Sequence, residues 1–394
     1  MKKKLASIFM ASTMMIGLLA GCSGGKEESS GGGGDSKTIK FGVNLELSGA
    51  VASYGESLEQ GIDLAVAELN KDGGIDGKEI KLVKVDNKSE AAEATSAAIK
   101  LTSQDKVTAI IGAATSGNTV AQVQIANDNK TVLLSPSGTA PNVTVNEKGK
   151  LNEYAFRTSY IDPFQGTVAA NFAANELKVK TAVIFADSAS DYAKGLAESF
   201  KKTFEAAGGK VIAEEAYMGK DTDFRSTLTR IKGKNPEFIF IPGYYEEVGL
   251  IVKQARESGI DVPLMGADGW DSPKLVELAG AKALNNTFIT NHYSSEDPDQ
   301  KIQNFVKKYK EKYDASPNAF NALGYDTVYL LADAIERAGS TDSTKIKDAL
   351  AKTKDLSLVT GSVTIDKDHN PVKSATVLEY KDGKQVFNTK VEPK

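Results

Sequence analysis

The fold of this chain is decided by the stretch Val107-Thr108-Ala109-Ile110-Ile111-Gly112-Ala113-Ala114-Thr115-Ser116. It begins with a run, residues 107–111, that is apolar at nearly every position, and it ends in small and hydroxyl-bearing residues. A helical pattern follows from Ser116. Continuous apolar strands between helices are typical of a parallel sheet that is covered on both faces. The stretch therefore predicts an α/β fold in which a buried strand ends at a polar loop.

The same alternation extends along the first part of the chain. Strands are predicted at residues 39–43, 79–85, 107–111 and 132–134. Helices are predicted between them at residues 53–71, 91–102 and 116–127. The first of these helices has apolar residues on one face, namely Leu58, Ile62, Ala65, Val66 and Leu69.

The alternation then restarts. Strands are predicted at residues 182–185, 211–217, 238–241, 262–265 and 287–290, and helices at 192–204, 224–231 and 247–257. Later helices fit residues 301–313, 319–338 and 343–351, and strand patterns close the chain at 362–365, 375–380 and 385–391. Two successive doubly wound units predict two Rossmann-like lobes. Their ligand is expected at the carboxyl ends of the strands, in the crevice between the lobes.

The N-terminus predicts export. Lys2, Lys3 and Lys4 precede an apolar stretch at residues 5–20, which is shorter than the roughly 20 apolar residues needed to span a bilayer. This pattern predicts a signal peptide over residues 1–21. The stretch ends in Leu19-Ala20-Gly21-Cys22, which resembles a bacterial lipobox, so Cys22 is the predicted lipidation site. The alternative is that Cys22 is an incidental thiol.

Residues 22–37 and the remaining chain differ in composition. The first segment contains the run Gly31 to Gly34 and almost no apolar side chain, so a flexible linker is predicted after the lipidated cysteine. The rest is ordinary for a soluble protein, since the whole chain is 41% hydrophobic and 25% charged. The net charge of −4 argues against a nucleic-acid partner. We expect an extracytoplasmic protein that is held at the cell membrane by its N-terminal lipid.

Residues for catalysis or metal binding are scarce. The chain has one cysteine, which excludes an intramolecular disulfide and a multi-cysteine metal site. It has two histidines, His292 and His369, which are a poor basis for a Ser-His-Asp triad or a His-rich metal site. The segment 73–78 lacks the glycine spacing of a phosphate loop, and it is interpreted as a helix end and a turn. The segment 366–370 lacks the Gly and Glu of a calcium loop, and it is interpreted as a turn. We therefore expect no enzyme, no metal and no cofactor.

Polar motifs stand where the predicted strands end. Free N–H groups at the start of a helix, with the hydroxyls of Ser116 and Thr139, suit a carboxylate. Asp268 follows a predicted strand and suits an ammonium group, while tyrosines on both sides offer apolar faces. The alternative for each residue is ordinary: a helix cap, a turn or half-buried packing. For Asp268 the rival role is to cap the turn into a helix that begins near Pro273. Together the motifs predict a site for an amino acid zwitterion.

These motifs also carry a family resemblance that covers nearly all of the chain after the leader. The chain resembles the type I periplasmic binding proteins of the leucine/isoleucine/valine-binding family, which serve ABC importers. The resemblance rests on Phe41-Gly42-Val43, Leu47-Ser48-Gly49, Tyr54-Gly55, Ile110-Ile111-Gly112 with Ser116, Ser135-Pro136-Ser137-Gly138-Thr139-Ala140-Pro141, Tyr154-Ala155-Phe156-Arg157-Thr158, Asp162 with Gln165-Gly166, Asp187 with Tyr192-Ala193-Lys194-Gly195, Gly243-Tyr244, and Gly266 with Asp268-Gly269.

The resemblance implies roles for seven residues. In the first lobe, Ser116, Ser137 and Thr139 would bind the α-carboxylate and help to hold the ammonium group. Ser137 stands at a position that is often Ala in relatives and acts there through its backbone. Tyr54 would flank the side-chain pocket, and Tyr192 and Tyr244 of the second lobe would close over the ligand. Asp268 would neutralise the ammonium group, although the best-known members carry the longer Glu there.

The resemblance further implies three hinge crossings, near residues 157–160, 291–293 and 361–366. The lobes would then comprise residues 38–158 with 292–362, and residues 159–291 with 363–394. Closure about such a hinge would bury the ligand and present a closed surface to a permease.

The function predicted first is the capture of branched-chain amino acids by a monomer that delivers them to the permease and ATPase subunits of an ABC importer. The alternative is a binding or sensing protein of the same fold for another amino acid or a small amide. A lipid-anchored hydrolase is disfavoured because no nucleophile and base are paired in the sequence. The sequence leaves open the preferred amino acid, its affinity, the transporter or sensor partner, and the resting state.

Overall fold

Five parallel strands form the first sheet of the computed structural model, which describes residues 37–392. The central strand, residues 109–112, is buried at every position, as its uninterrupted apolar sequence requires. The strands are β1 (Thr38–Leu45), β2 (Glu79–Asp86), β3 (Ala109–Gly112), β4 (Val132–Ser135) and β5 (Ala155–Arg157). Their order in the sheet is β2-β1-β3-β4-β5.

Three helices connect the first four of these strands. They are α1 (Ala52–Lys71), α2 (Ala91–Ile99), which continues as a π-helical turn over Lys100–Gln104, and α3 (Ser116–Asp128). Each crossover joins parallel strands, so each helix packs on a face of the sheet.

The second sheet repeats this arrangement. Its parallel strands are β6 (Thr181–Asp187), β7 (Lys210–Tyr217), β8 (Phe238–Phe240), β9 (Leu264–Gly266) and β10 (Thr287–Asn291). The helices of this part are α4 (Asp162–Asn171), α5 (Asp191–Ala206), α6 (Arg225–Gly233), α7 (Tyr245–Glu257) and α8 (Pro273–Ala279). The strand order β7-β6-β8-β9-β10 is that of the first sheet, which confirms the doubly wound α/β class.

The remaining elements close the fold. They are the helices α9 (Gln300–Tyr313), α10 (Ala319–Ala338) and α11 (Ser343–Leu350), the small antiparallel sheet of β11 (Leu356–Leu358), β12 (Gly361–Ile365) and β13 (Pro371–Val372), and the strands β14 (Ala375–Lys381) and β15 (Lys384–Val391). The last two strands extend the second sheet beside β10 in antiparallel register. The chain thus re-enters the second sheet at Ala375, after β12 and β13 have formed a sheet of their own.

The element predictions agree with the structure except at a few short segments. The strand β5 and the helix α4 were not predicted, nor were β11 and β13. Three-residue and two-residue strands carry too little alternation to be recognised, and α4 has only a weak apolar face. An Asp-Pro pair at its start was the available signal for α4, since proline is favoured in a first helical turn.

Both interpretations of the loops that imitate ligand-binding motifs are confirmed. The helix α1 ends at Lys71, and the N–H of Gly74, which has a φ of +78°, donates to the Leu69 carbonyl at 2.8 Å. The segment 366–370 is the turn between β12 and β13, where Asp366 Oδ1 accepts from the N–H groups of Asp368 and Asn370 at 2.9 and 2.8 Å.

Three of the predictions concern the N-terminal region. The signal peptide, the lipidation site Cys22 and nearly all of the linker lie outside the described residues. Within residues 37–392, none of the helices combines the length and the apolar character that a membrane crossing requires.

A close approach between α1 and β1 gives a test of the packing. A Cβ atom on Gly55 would lie 2.0 Å from the carbonyl oxygen of Glu46, directly after β1. We expect Gly55→Ala to lower the free energy of unfolding by about 1–3 kcal/mol, because two backbones must separate. Urea unfolding measures this change. Gly233→Ala is the control, since nothing lies within 4 Å of its added Cβ; an equal loss in both variants would contradict the packing argument.

Candidate functional site

The carboxyl ends of the parallel strands form one edge in each sheet, and the strand order reverses at one point along it. The reversal lies between β1 and β3 in the first sheet and between β6 and β8 in the second. Loops on the two sides of such a point diverge and leave a crevice. The loops after β1, β3, β4, β8 and β9 supply most of the residues described below.

A small cavity is formed by these loops. Its empty volume is only about 230 Å³. The walls are therefore close together in this conformation. The lining residues are Tyr54, Ala114, Thr115, Ser116, Ser137, Thr139, Tyr192, Tyr244, Asp268, Gly269 and Phe320. All seven residues predicted to bind a ligand are among them; that they bind one remains a prediction.

Glu46, which the sequence analysis missed, organises one wall of the cavity. It follows β1 directly, and it is fully buried. Its carboxylate accepts from the N–H groups of Ala114 and Thr115 at 2.9 and 3.0 Å, from the Thr115 hydroxyl at 2.8 Å, and from Asn118 Nδ2 at 2.9 Å. Three of these donors bond to Oε1 and one bonds to Oε2, so hydrogen bonds within the protein replace most of the hydration of the Glu46 carboxylate. An acidic residue directly after a buried strand was the only signal for it.

The Glu46 contacts limit the N–H groups that a ligand carboxylate could use near α3. Those of Ala114 and Thr115, which precede the helix, are bonded to Glu46. The first N–H that remains belongs to Ser116, at the first position of α3. Ser116 Oγ accepts from the N–H of Ala140 at 3.0 Å, which leaves its own proton available for donation.

The loop after β4 presents two hydroxyls with different roles. The Ser137 hydroxyl donates to the Ala114 carbonyl at 2.7 Å, so it ties this loop to the loop after β3. Thr139 is 1% exposed, and its hydroxyl has no hydrogen bond of normal geometry within residues 37–392, although it lies near the Asp162 carboxyl. A buried hydroxyl without a partner costs about 1–3 kcal/mol. Thr139 is therefore a group that a ligand atom would stabilise.

Asp268 lies at the opposite wall of the cavity, at the start of a short helical turn after β9. Its Oδ1 accepts from the Tyr192 hydroxyl at 2.8 Å and from Gln165 Nε2 at 2.9 Å, and its Oδ2 lies 3.0 Å from His292 Nε2. Three donors thus converge on a side chain that is 3% exposed. One of about four lone-pair sites is left, on Oδ2.

The rival role of Asp268 as a helix cap is wrong. The N-cap of α8 is Ser272, whose hydroxyl accepts from the Lys274 N–H at 3.1 Å. The carboxylate of Asp268 makes no contact with α8 among its hydrogen bonds.

Among residues 37–392, no positively charged side chain is paired with Asp268. Burial lowers the pKa of His292 despite the raising effect of Asp268, so the imidazole is neutral at pH 7 and donates its Nε2 proton to the carboxylate. Burial and the charge of Asp268 raise the pKa of the neighbouring Asp162 to about 8, so this group is mostly protonated at neutral pH. The sequence analysis missed His292 and Gln165 as partners of Asp268. Gln165 and Asp268 are 103 residues apart in the chain.

Aromatic rings form the remaining walls. Tyr192 stacks on Tyr244 with ring centroids 5.1 Å apart, and Tyr54 stacks on Phe320 at 4.4 Å. Phe320, which was not predicted, stands in the first turn of α10, held by a capping box between Asn318 and Asn321. The Tyr54 hydroxyl donates to the Gly269 carbonyl and accepts from the Tyr245 N–H at 3.1 Å.

The arrangement suits a molecule with an anionic end, a cationic end and an apolar part. Within the described residues, His292 bonds to Asp268 and His369 to the Ala155 carbonyl, so neither histidine activates a hydroxyl nucleophile. The same part of the chain has no cluster of three or more His, Cys, Asp or Glu residues suited to a metal ion.

A family model and solved structures both relate this chain to periplasmic binding proteins. The family model described as periplasmic binding protein matches residues 38–385. The solved structure of the branched-chain amino acid transporter substrate-binding protein LivJ from Streptococcus pneumoniae, in complex with isoleucine, is 43% identical, with 90% of this chain and 100% of that chain covered and a TM-score of 0.85. The leucine-binding protein LivK from Thermotoga maritima is 36% identical, with 90% and 99% covered and a TM-score of 0.85.

A curated relative agrees with these structures. The leucine-, isoleucine-, valine-, threonine- and alanine-binding protein of Pseudomonas aeruginosa is 29% identical over 355 residues, which are 90% of this chain and 92% of the relative. The chain therefore belongs to the periplasmic binding protein family, and it has the type I fold of the family's leucine/isoleucine/valine-binding members.

Proposed function

We propose that this protein captures leucine, isoleucine or valine in the cavity and delivers it to an ABC importer. The observation that carries the proposal is the polarity of the cavity. Its lining includes the buried Asp268 carboxylate, which has no cation beside it among the described residues, and the Thr139 hydroxyl, which makes no hydrogen bond of normal geometry among them. Relatives that bind branched-chain amino acids support the same choice.

The α-carboxylate binds at the loops after β3 and β4. Ser116 offers its N–H at the start of α3 and its hydroxyl proton, and Thr139 offers its unpartnered hydroxyl. Ser137 contributes through its backbone, because its hydroxyl is already bonded to the Ala114 carbonyl.

The ammonium group binds at Asp268. The remaining lone-pair site of Oδ2 accepts one N–H bond, and the charge of the ammonium group balances the carboxylate. Tyr192 and Gln165 fix the carboxylate in place before the ligand arrives, which lowers the entropic cost of binding.

The aliphatic side chain packs between Tyr54, Tyr244 and Phe320. Because the free space is narrow, a side chain of leucine size requires these rings to move apart. Such a movement fits two lobes, residues 38–158 with 292–362 and residues 159–291 with 363–394, that open about the three predicted crossings. Tyr54 and Ser53 would then bond across the cleft, to Gly269 and Ser272 respectively, in the closed state.

Delivery is proposed from the N-terminal pattern and the family. A lipid on Cys22 would hold the monomer at the outer surface of the cell membrane, and residues 23–37 would let it reach the permease. The absence of a paired nucleophile and base in the described residues supports a binding role over a hydrolytic one.

The first prediction concerns Asp268. Asp268→Asn removes the charge with little change in volume, so leucine affinity should fall by about 2–5 kcal/mol, or roughly thirty-fold or more. Isothermal titration calorimetry measures the loss, and thermal unfolding checks that the free variant is folded. Asp271→Asn is the matched control, because Asp271 is equally buried but bonds to Asn291, Ala319 and Gln385 outside the cavity. Equal affinity of the Asp268 variant and the wild type would contradict the assignment.

The second prediction concerns ligand choice. Tyrosine and phenylalanine walls, with no second charged residue beside Asp268 in the lining, favour aliphatic side chains, so leucine, isoleucine and valine should raise the melting temperature. At a ligand concentration of 100 times Kd, the gain in stability is about 2.7 kcal/mol. Glutamate and lysine should produce no shift. Stabilisation by a charged amino acid or a small amide alone would favour the alternative function.

The third prediction concerns anchoring. Cys22→Ser should leave an unprocessed precursor or release the protein into the medium, because the acylated side chain is lost. Metabolic labelling with a radioactive fatty acid detects the lipid, and the wild type is the positive control. A labelled variant would show that another residue carries the lipid.

A further inference from the structure

Arg157 is a fully buried cation directly behind the loop that carries Thr139. It is the last residue of β5. Its Nη1 donates to the Gly138 carbonyl at 2.5 Å, and its Nη2 donates to the Ala140 carbonyl at 2.9 Å and to the Thr144 hydroxyl at 3.2 Å. Every acceptor of the guanidinium group is therefore neutral.

The charge of Arg157 has no counter-ion within the described residues. Burial lowers its pKa to about 10, so the group stays charged at neutral pH. The acids that act on it are Asp162 and Asp366, and neither forms an ion pair with it. Asp162 is mostly protonated at neutral pH because burial and Asp268 raise its pKa to about 8. Asp366 accepts from two N–H groups of its own turn.

An unpaired buried charge is rare because its desolvation is expensive. Proteins keep such a charge where a partner arrives from outside or where the field of the charge has a use. Arg157 has such a position, because it donates to the carbonyls of Gly138 and Ala140. Thr139, which lies between these two residues in the chain, lines the cavity, so the positive charge stands behind the cavity wall.

The bonds of Arg157 also orient the loop. A trans peptide places its C=O and its N–H on opposite sides, and the Gly138 carbonyl points to Arg157. The N–H of Thr139, in the same peptide unit, therefore points away from the guanidinium group. One residue thus supplies both a positive charge behind the loop and the orientation of a donor in front of it.

We propose that Arg157 is a positioning and specificity-determining residue that makes the cavity select ligands with a carboxylate over ligands with a neutral group at the same place. This inference rests on the proposed function and deepens it. Among the described residues, neither Arg157 behind this loop nor Asp268 in the cavity wall is paired with an opposite charge, and an amino acid zwitterion compensates both.

The test compares leucine with leucinamide, which keeps the ammonium group and the side chain but lacks the carboxylate. Isothermal titration calorimetry gives both affinities for the wild type, Arg157→Gln and Arg157→Lys. Arg157→Gln keeps a donor for the loop and loses the charge, so the preference for leucine over leucinamide should fall by about tenfold or more. Arg157→Lys keeps the charge, so both affinities should fall while the preference stays within about threefold of the wild type.

Arg256→Gln is the matched control. Arg256 also donates only to neutral groups, the carbonyls of Ile260, Val262, Ala283, Asn285 and Asn286, but it lies outside the cavity. This variant should lose stability and keep the wild-type preference.

Each outcome decides one question. An unchanged preference in Arg157→Gln, with leucine still bound, would overturn the inference and leave the proposed function intact. If Arg157→Gln does not fold, the Arg157→Lys variant decides: loss of its preference for leucine over leucinamide overturns the inference. A wild type that binds leucinamide as tightly as leucine also overturns it without any variant. A wild type that binds neither ligand overturns the proposed function itself.

Discussion

Two buried carboxylates, one after a strand of each sheet, organise the edge of this protein at which the loops converge. A carboxylate can leave water only if hydrogen-bond donors replace its hydration. Glu46 receives four donors from the loop after β3 and the start of α3, so its role is to hold these segments together. Asp268 receives three donors and, among the described residues, no cation. Asp268 lines the cavity and Glu46 does not, which separates a carboxylate that a ligand can reach from a structural one.

Contacts of Tyr54 and Gly269 join the loops of the two sheets at the cavity. Tyr54 lies in α1, the helix that connects β1 and β2 of the first sheet. Its hydroxyl nevertheless bonds to Gly269 and Tyr245, which follow strands of the second sheet. Gly269 has no room for a side chain, because its Cβ would lie 2.7 Å from the Gly243 carbonyl and 2.8 Å from the Tyr192 hydroxyl. The Gly269 N–H also donates to the Tyr192 hydroxyl, which in turn donates to Asp268, so these contacts join the loops of the two sheets around the cavity.

Predictions from the sequence succeeded where the signal was local and long. The helix α10 has the predicted bounds, Ala319–Ala338, because twenty residues of apolar periodicity follow a capping residue. The three-residue strand β5 was missed because so short a segment takes its conformation from its neighbours in the sheet. The seven candidate residues, whose roles the family resemblance implied, line one cavity because the loops that carry them follow strands that end at the same edge of a parallel sheet; that they bind a ligand stays a prediction.

The sequence by itself determined the α/β class, the repetition of one winding pattern and the chemical character of the loops, since periodicity and turn residues act over a few positions. Only the tertiary structure decided which groups meet there. It bonded Glu46 to the N–H groups of Ala114 and Thr115, brought Gln165 and His292 to Asp268, and gave Arg157 no counter-ion among the described residues. The physical reason is that a buried charge depends on hydrogen-bond partners that, for these carboxylates, lie 24 to 103 residues away in the chain.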